Sequence, residues 1–189
     1  IHGFIIEHII KPYQSELKKI MFSDFGIEIN PKTKISSQVE GLSVLHGHTK
    51  EEIYDYLNSQ LGAEDELDYS KSSMAKIAVD LNAYCENRET KFSLPMAKGK
   101  SKVSEKHINL IKKYTWDRAG KLTHDEILYF GYRLATSNST ISYALRVQFP
   151  FIFIDEFQDT SPLQSLLIEH LGNQSTIIGV IGDVAQSIY

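Results

Sequence analysis

The chain has 189 residues, 42% of them hydrophobic and 23% charged, with a formal net charge of −4. That is an ordinary globular composition, sized for one large domain or for one domain carrying a smaller one. No run of about 18 apolar residues is present, which excludes a membrane-spanning helix, and a single cysteine, Cys85, excludes an internal disulfide.

The lone cysteine fits a reducing compartment, so a cytoplasmic location is expected. The opening "IHGFIIEHIIKPYQ" is apolar but lacks the basic flank and small-residue cleavage site of a signal peptide. It also lacks an initiator Met, and the chain is expected to be cut from something longer. Charge is unevenly spread. Residues 50–89 carry four basic and ten acidic side chains, residues 98–121 eight basic and two acidic, and residues from 150 onward five acids with no Lys or Arg. The basic stretch suits nucleic-acid phosphate, although a solvated helix face is the commoner use of such a run.

In chain order, residues 1–13 read as an amphipathic helix stopped near Pro12, and 25–43 read as irregular. Three helices follow. Ile53, Leu57 and Leu61 mark the first; Met74, Ile77, Ala78, Leu81, Tyr84 and Cys85 the second; Ile108, Ile111 and Tyr114 the third. These stripes read as core, and so does Trp116. His46 and His48 read as a surface turn, since no third metal ligand has suitable spacing.

Beyond residue 120 the pattern changes. "LTHDEILYFGYRLA" opens with a capping box, Thr123 and Glu126, and a short helix at about 139–148 leads into an apolar strand, Phe151 to Ile154. A second box, Ser161 and Gln164 with Pro162 at the first helical position, starts another helix. "STIIGVIGD" (175–183) reads as a second buried strand. Helix, strand, helix, strand is the order of a parallel sheet, whose ligands bind beyond the carboxyl ends of the strands. Asp155, Glu156 and Asp183 stand at two such ends. Asp155 suits a hard cation such as Mg²⁺, and Glu156 suits the water that attacks a phosphate.

"FIFIDEFQDTSPLQ" followed by "VIGDVAQSIY" resembles motifs II and III of the UvrD/Rep-like helicases of superfamily 1. "GKLTHDEILYFGYRLA" resembles the helix before motif II, and "IHGF" resembles motif Ib. The resemblance implies an α/β fold: a partial RecA-like parallel sheet (subdomain 1A, residues 1–29 and 121–189) carrying a mostly helical insertion (subdomain 1B, residues 30–120). It implies an enzyme that couples Mg²⁺-ATP hydrolysis to 3′-to-5′ movement on single-stranded DNA, with single-stranded and duplex DNA as partners. Asp155 would ligate Mg²⁺, Glu156 would be the catalytic base and Gln186 would reach the γ-phosphate. Tyr189 would stack on bases, and His2 would lie near a DNA phosphate. Gln158 and Asp159 belong to the motif, yet both suit simple bracing of the next helix. The reading leaves open a nuclease partner or a fused nuclease domain.

Departures bear on it. No G-x-x-x-x-G-K-[ST] phosphate loop occurs; the "GKS" at 99–101 has Leu94 where the first Gly is needed. The arginine motifs of a second RecA-like domain are missing as well. The expectation is therefore a piece running from motif Ib through motif III, inactive alone. Two alternatives stand beside it. A metal-dependent nuclease commonly adds a Lys two residues beyond the second acid, where this chain has Gln158. A noncatalytic DNA- or protein-binding module derived from such a helicase would use the basic stretch and leave the acids idle.

Overall fold

Ile5, Ile9 and Ile10 are wholly buried, and they explain how the chain begins. Helix α1 (His2–Ile5) continues as a π-helical stretch, Ile6–Ile10, and turns at 11–13. Proline cannot supply the N–H that would carry the helix on. A second helix, α2 (Gln14–Phe25), then forms, which the sequence reading passed over. Leu17, Ile20 and Met21 line its buried face, at helical spacing. Gly26 ends it in the left-handed conformation, φ +67°, with its N–H bonded to the Phe22 carbonyl at 2.8 Å. The computed structural model describes residues 1–38, 50–60, 82–93 and 105–183.

Within residues 30–120 the described elements are β1 (Ser37–Gln38), α3 (Lys50–Gln60), β2 (Asn82–Glu86), β3 (Glu89–Ser93) and α4 (Glu105–Lys113). Helix α4 runs on as a π-helical stretch, Tyr114–Arg118. The first and third predicted helices are thus present. The second is corrected at its end: Tyr84 and Cys85 lie on β2 of an antiparallel hairpin, paired with Lys91 and Thr90. The remainder of that prediction, like His46 and His48 and the decoy at 99–101, lies outside the described residues. Asn87 and Arg88 turn the hairpin with φ of +52° and +66°, the paired positive values of a two-residue turn. Cys85 is only partly buried.

The C-terminal third follows the sequence reading closely. It comprises β4 (Lys121–Leu122), α5 (His124–Ser137), α6 (Ser139–Gln148), β5 (Phe151–Ile154), α7 (Pro162–Asn173) and β6 (Ile177–Val180). Both capping boxes form, at Thr123 with Glu126 and at Ser161 with Gln164. β5 and β6 pair in parallel, with Phe151 opposite Ile177 and Ile154 opposite Val180. β1 and β4 make a second short parallel pair.

Helix α5 is the hub of the packing: α1, the π-helical stretch after it, α2, α6, α7 and β2 all contact it. Gly131 lets α1 come close, since a Cβ there would lie 2.5 Å from Ile5 Cγ2. One core cluster joins Ile5, Ile9, Leu17, Met21 and Ile29 to Trp116, Phe130, Leu134, Leu163 and Leu167. Trp116 stacks edge-on to Phe25 and Phe130, so the packing role expected of it holds. Leu57, Ile111 and Tyr114 are buried outside that cluster. Among the described residues no helix is long and apolar enough to cross a membrane.

One expectation about the sheet needs correction. β5 and β6 are apolar enough to be covered on both faces, yet Phe151 is 57% exposed, Phe153 72% and Ile177 58%. Alternation explains the split. Phe151 and Phe153 share the open face, while Ile154 is buried and Ile152 packs against the core from the other side.

Candidate functional site

The acids lie where β5 runs out of partners for burial. Ile154 is buried; Asp155 and Glu156 after it are exposed. The Ile181 N–H bonds the Ile154 carbonyl at 2.8 Å, and the Phe157 N–H returns to the Ile181 carbonyl at 3.0 Å. The ladder between β5 and β6 thus continues past the acids, and they project as a bulge from its carboxyl end. Glu156 takes φ +51° and ψ +47°, left-handed and non-glycine. Such a conformation costs a non-glycine residue about 1–2 kcal/mol, and strain of this kind collects at functional sites. Local bonds hold it: the Glu156 N–H donates to Asp155 Oδ1 at 3.0 Å, and its carbonyl accepts from the Asp159 N–H at 3.0 Å.

Gln158 does more than brace the next helix. Its Nε2 donates to Glu156 Oε2, and its Oε1 accepts from the Asp183 N–H at 3.1 Å. One amide therefore spans the two strand ends. Gly182 makes room for it, because a Cβ there would stand 2.5 Å from Gln158 Oε1. Thr160 fixes the other side of the loop, its hydroxyl donating to the Phe157 carbonyl at 2.8 Å. Sequence reasoning missed the roles of Gln158 and Gly182. The available signal was an amide set among acids, a side chain that can donate to one group and accept from another.

Chemically, the site offers two exposed carboxylates, Asp155 accepting from the Glu156 N–H and Glu156 from the Gln158 amide. Among the described residues no group of three His, Cys, Asp or Glu side chains is gathered for a metal. A cation here would take its other ligands from water and substrate, which suits Mg²⁺. Asp155 fits that role as donor type and by exposure.

His2 is placed elsewhere. It is partly buried, its ring edge-on to His124 with centroids 4.7 Å apart, and its Nε2 is buried without a hydrogen-bond partner among the described residues. Burial lowers its pKa, and repulsion from His124 lowers it further. Gln186 and Tyr189 lie outside the described residues, so the structure neither joins them to the acids nor parts them.

The basic stretch resolves partly into structure. Lys112 is buried and ion-paired with buried Glu126, tying α4 to the start of α5. The Arg118 guanidinium lies 5.9 Å from the Tyr114 ring centroid, and Lys113 is exposed.

Parts of this chain resemble known proteins. Gabija protein GajB of Bacillus cereus is 32% identical over 75 residues, covering 36% of this chain and 11% of its own length. DNA helicase II of Escherichia coli is 36% identical over 73 residues, 39% of this chain and 10% of that protein. The exonuclease/helicase protein RexA of Lactococcus lactis is 36% identical over 66 residues, 35% and 5% respectively. The chain thus spans about a tenth or less of the length of these relatives. The family model for the UvrD/REP helicase N-terminal domain matches residues 1–189. The chain belongs to the UvrD/REP helicase N-terminal domain family.

Proposed function

We propose that this chain is part of an ATP-dependent DNA helicase or translocase that moves 3′ to 5′ on single-stranded DNA. The observation that carries the reading is the exposed Asp155–Glu156 pair at the carboxyl end of a parallel strand, with Glu156 in a strained left-handed conformation. Asp155 would hold Mg²⁺, which when bound neutralises charge on the nucleotide phosphates. Glu156 would take the proton of the attacking water. Gln186 would contact the γ-phosphate, Tyr189 would stack on a base, and His2 would lie beside the DNA track.

The packing supports the domain reading too. Residues 5–29 and 122–171 share one core, as two parts of a single subdomain 1A would; Ile35 and Trp116, at the two ends of the intervening block, join it, while Leu57, Ile111 and Tyr114 are buried outside it. The exonuclease in the name of one relative supports a nuclease partner or fused nuclease domain as part of the same reading.

The test is Glu156→Gln in the full-length protein that carries this domain. Binding of ATP and Mg²⁺ is expected to persist, while DNA-stimulated hydrolysis slows about 10²–10⁴-fold, the scale of losing a general base. Turnover within about threefold of wild type would show that Glu156 is not the base. An outcome of no ATPase activity even in the unaltered full-length protein would favour the noncatalytic binding module.

A further inference from the structure

We infer that Gln158 is a positioning residue for hydrolysis: it fixes the Glu156 carboxylate by tying it to the backbone at Asp183. The inference rests on the proposed role of Glu156 as the base. Three observations carry it. Gln158 Nε2 donates to Glu156 Oε2 while Gln158 Oε1 accepts from the Asp183 N–H at 3.1 Å. Gly182 leaves open the space that this amide fills. The Phe157 N–H, bonded to the Ile181 carbonyl at 3.0 Å, sets the distance between the two strand ends.

A glutamate at an exposed loop tip samples many rotamers, and few of them aim its oxygens at an attacking water. A hydrogen bond from an anchored amide selects one. The anchor matters because Asp183 begins the segment that leads to Gln186 and Tyr189. Orientation of the base is therefore coupled to the backbone from which that segment departs. Gln158 acts through Glu156 and needs no contact with nucleotide.

Two substitutions separate its two bonds. Gln158→Met keeps bulk and removes both. Gln158→Glu keeps an acceptor for the Asp183 N–H but cannot donate to Glu156 at neutral pH. In the full-length protein both are expected to lower kcat for ATP hydrolysis about 10–100-fold, the scale of a misplaced catalytic group, with KM for ATP within about threefold. In the 189-residue chain, hydrogen exchange at the Asp183 amide should speed up in Gln158→Met and stay slow in Gln158→Glu. Gly182→Ala should lower kcat as Gln158→Met does, with some loss of Tm, because its Cβ would meet Gln158 Oε1 at 2.5 Å and the Phe157 backbone nitrogen at 3.3 Å. Wild-type kcat in Gln158→Met, alongside a slow Glu156→Gln, would overturn the inference and leave the proposed function standing. A raised KM with unchanged kcat would also overturn it, because it would mean uniform binding of nucleotide. Unimpaired Glu156→Gln would instead remove the proposed function, and with it any base to position.

Discussion

Asp24 shows how a single side chain can hold two distant segments together. Arg133 grips its carboxylate with two bonds, Nε to Oδ2 at 2.8 Å and Nη2 to Oδ1 at 3.0 Å, and the Tyr129 hydroxyl donates to Oδ2 at 2.7 Å. Burial alone would push the Asp24 pKa up, but these bonds and one from Ser23 outweigh it and hold the carboxyl below its usual range. The Tyr129 phenol is pushed far up, by burial and then by its bond to Asp24. Arg133→Leu should therefore cost about 1–2 kcal/mol, toward the lower end for charged hydrogen bonds because Arg133 keeps a third of its side chain exposed. Because the folded pKa of Asp24 is depressed, its contribution is present above the unfolded pKa and fades as pH falls through the folded one. Urea unfolding at pH 7 and pH 3.5 checks both points: the gap between wild type and Arg133→Leu should narrow in acid. None of this was legible in sequence, since residues 24 and 133 share no motif and only the fold brings them together. Asp155 and Glu156 were legible because two acids at once after an apolar run break the pattern of a buried strand.

Elements with local signals were read well, and those set by alternation or by pairing less so. The capping boxes of α5 and α7 are spelled out within four residues, and both form. The hairpin of β2 and β3 was misread because Tyr84 and Cys85 extend an apolar stripe that also fits helical spacing. What decides is cross-strand pairing around the Asn87–Arg88 turn, which no helical period reveals. Helix α4 carries a prediction of its own. Lys112 and Glu126 are buried, their side chains 4% and 1% exposed, and Glu126 also accepts from the Thr123 N–H at 2.8 Å. Removing one partner strands the other's charge in the interior. Lys112→Met is expected to destabilise the chain by about 3–5 kcal/mol, whereas exposed Lys113→Met should change stability by less than about 0.5 kcal/mol. Equal midpoints in thermal melts of the two variants would contradict the buried pair. The same comparison bears on the basic stretch, since only Lys113 of the two remains free to meet phosphate.

At the scale of the molecule, the core joins residues 5–35 to residues 116–171 across a long intervening block, and α1 sits against α5 through Ile5 and Gly131. The order of elements after residue 120 made a parallel arrangement legible; the closing of the N-terminal segment over α5 was not, because helical stripes say which face is buried and not against what. His2 lies at that junction, edge-on to His124 at the start of α5. Its pKa is lowered chiefly by burial, then by repulsion from His124, so the folded state favours the neutral ring. The unfolded chain titrates His2 near its ordinary value of about 6.5. Between that value and the lower folded one, the unfolded state binds the extra proton, so stability falls as pH falls. Above about pH 7.5 the ring is neutral in both states and the contribution is whole. The slope from one such group cannot exceed about 1.4 kcal/mol per pH unit, and partial exposure keeps it well below that limit. Replacing His2 with Gln removes the titration while keeping a polar side chain of similar reach. Between pH 7.5 and 5.5, wild type should therefore lose more stability than His2→Gln in matched urea titrations; histidines remote from the His2–His124 pair cancel in the difference. Parallel losses in the two proteins would mean that His2 meets solvent freely, and that the N-terminal helix does not stay docked on α5.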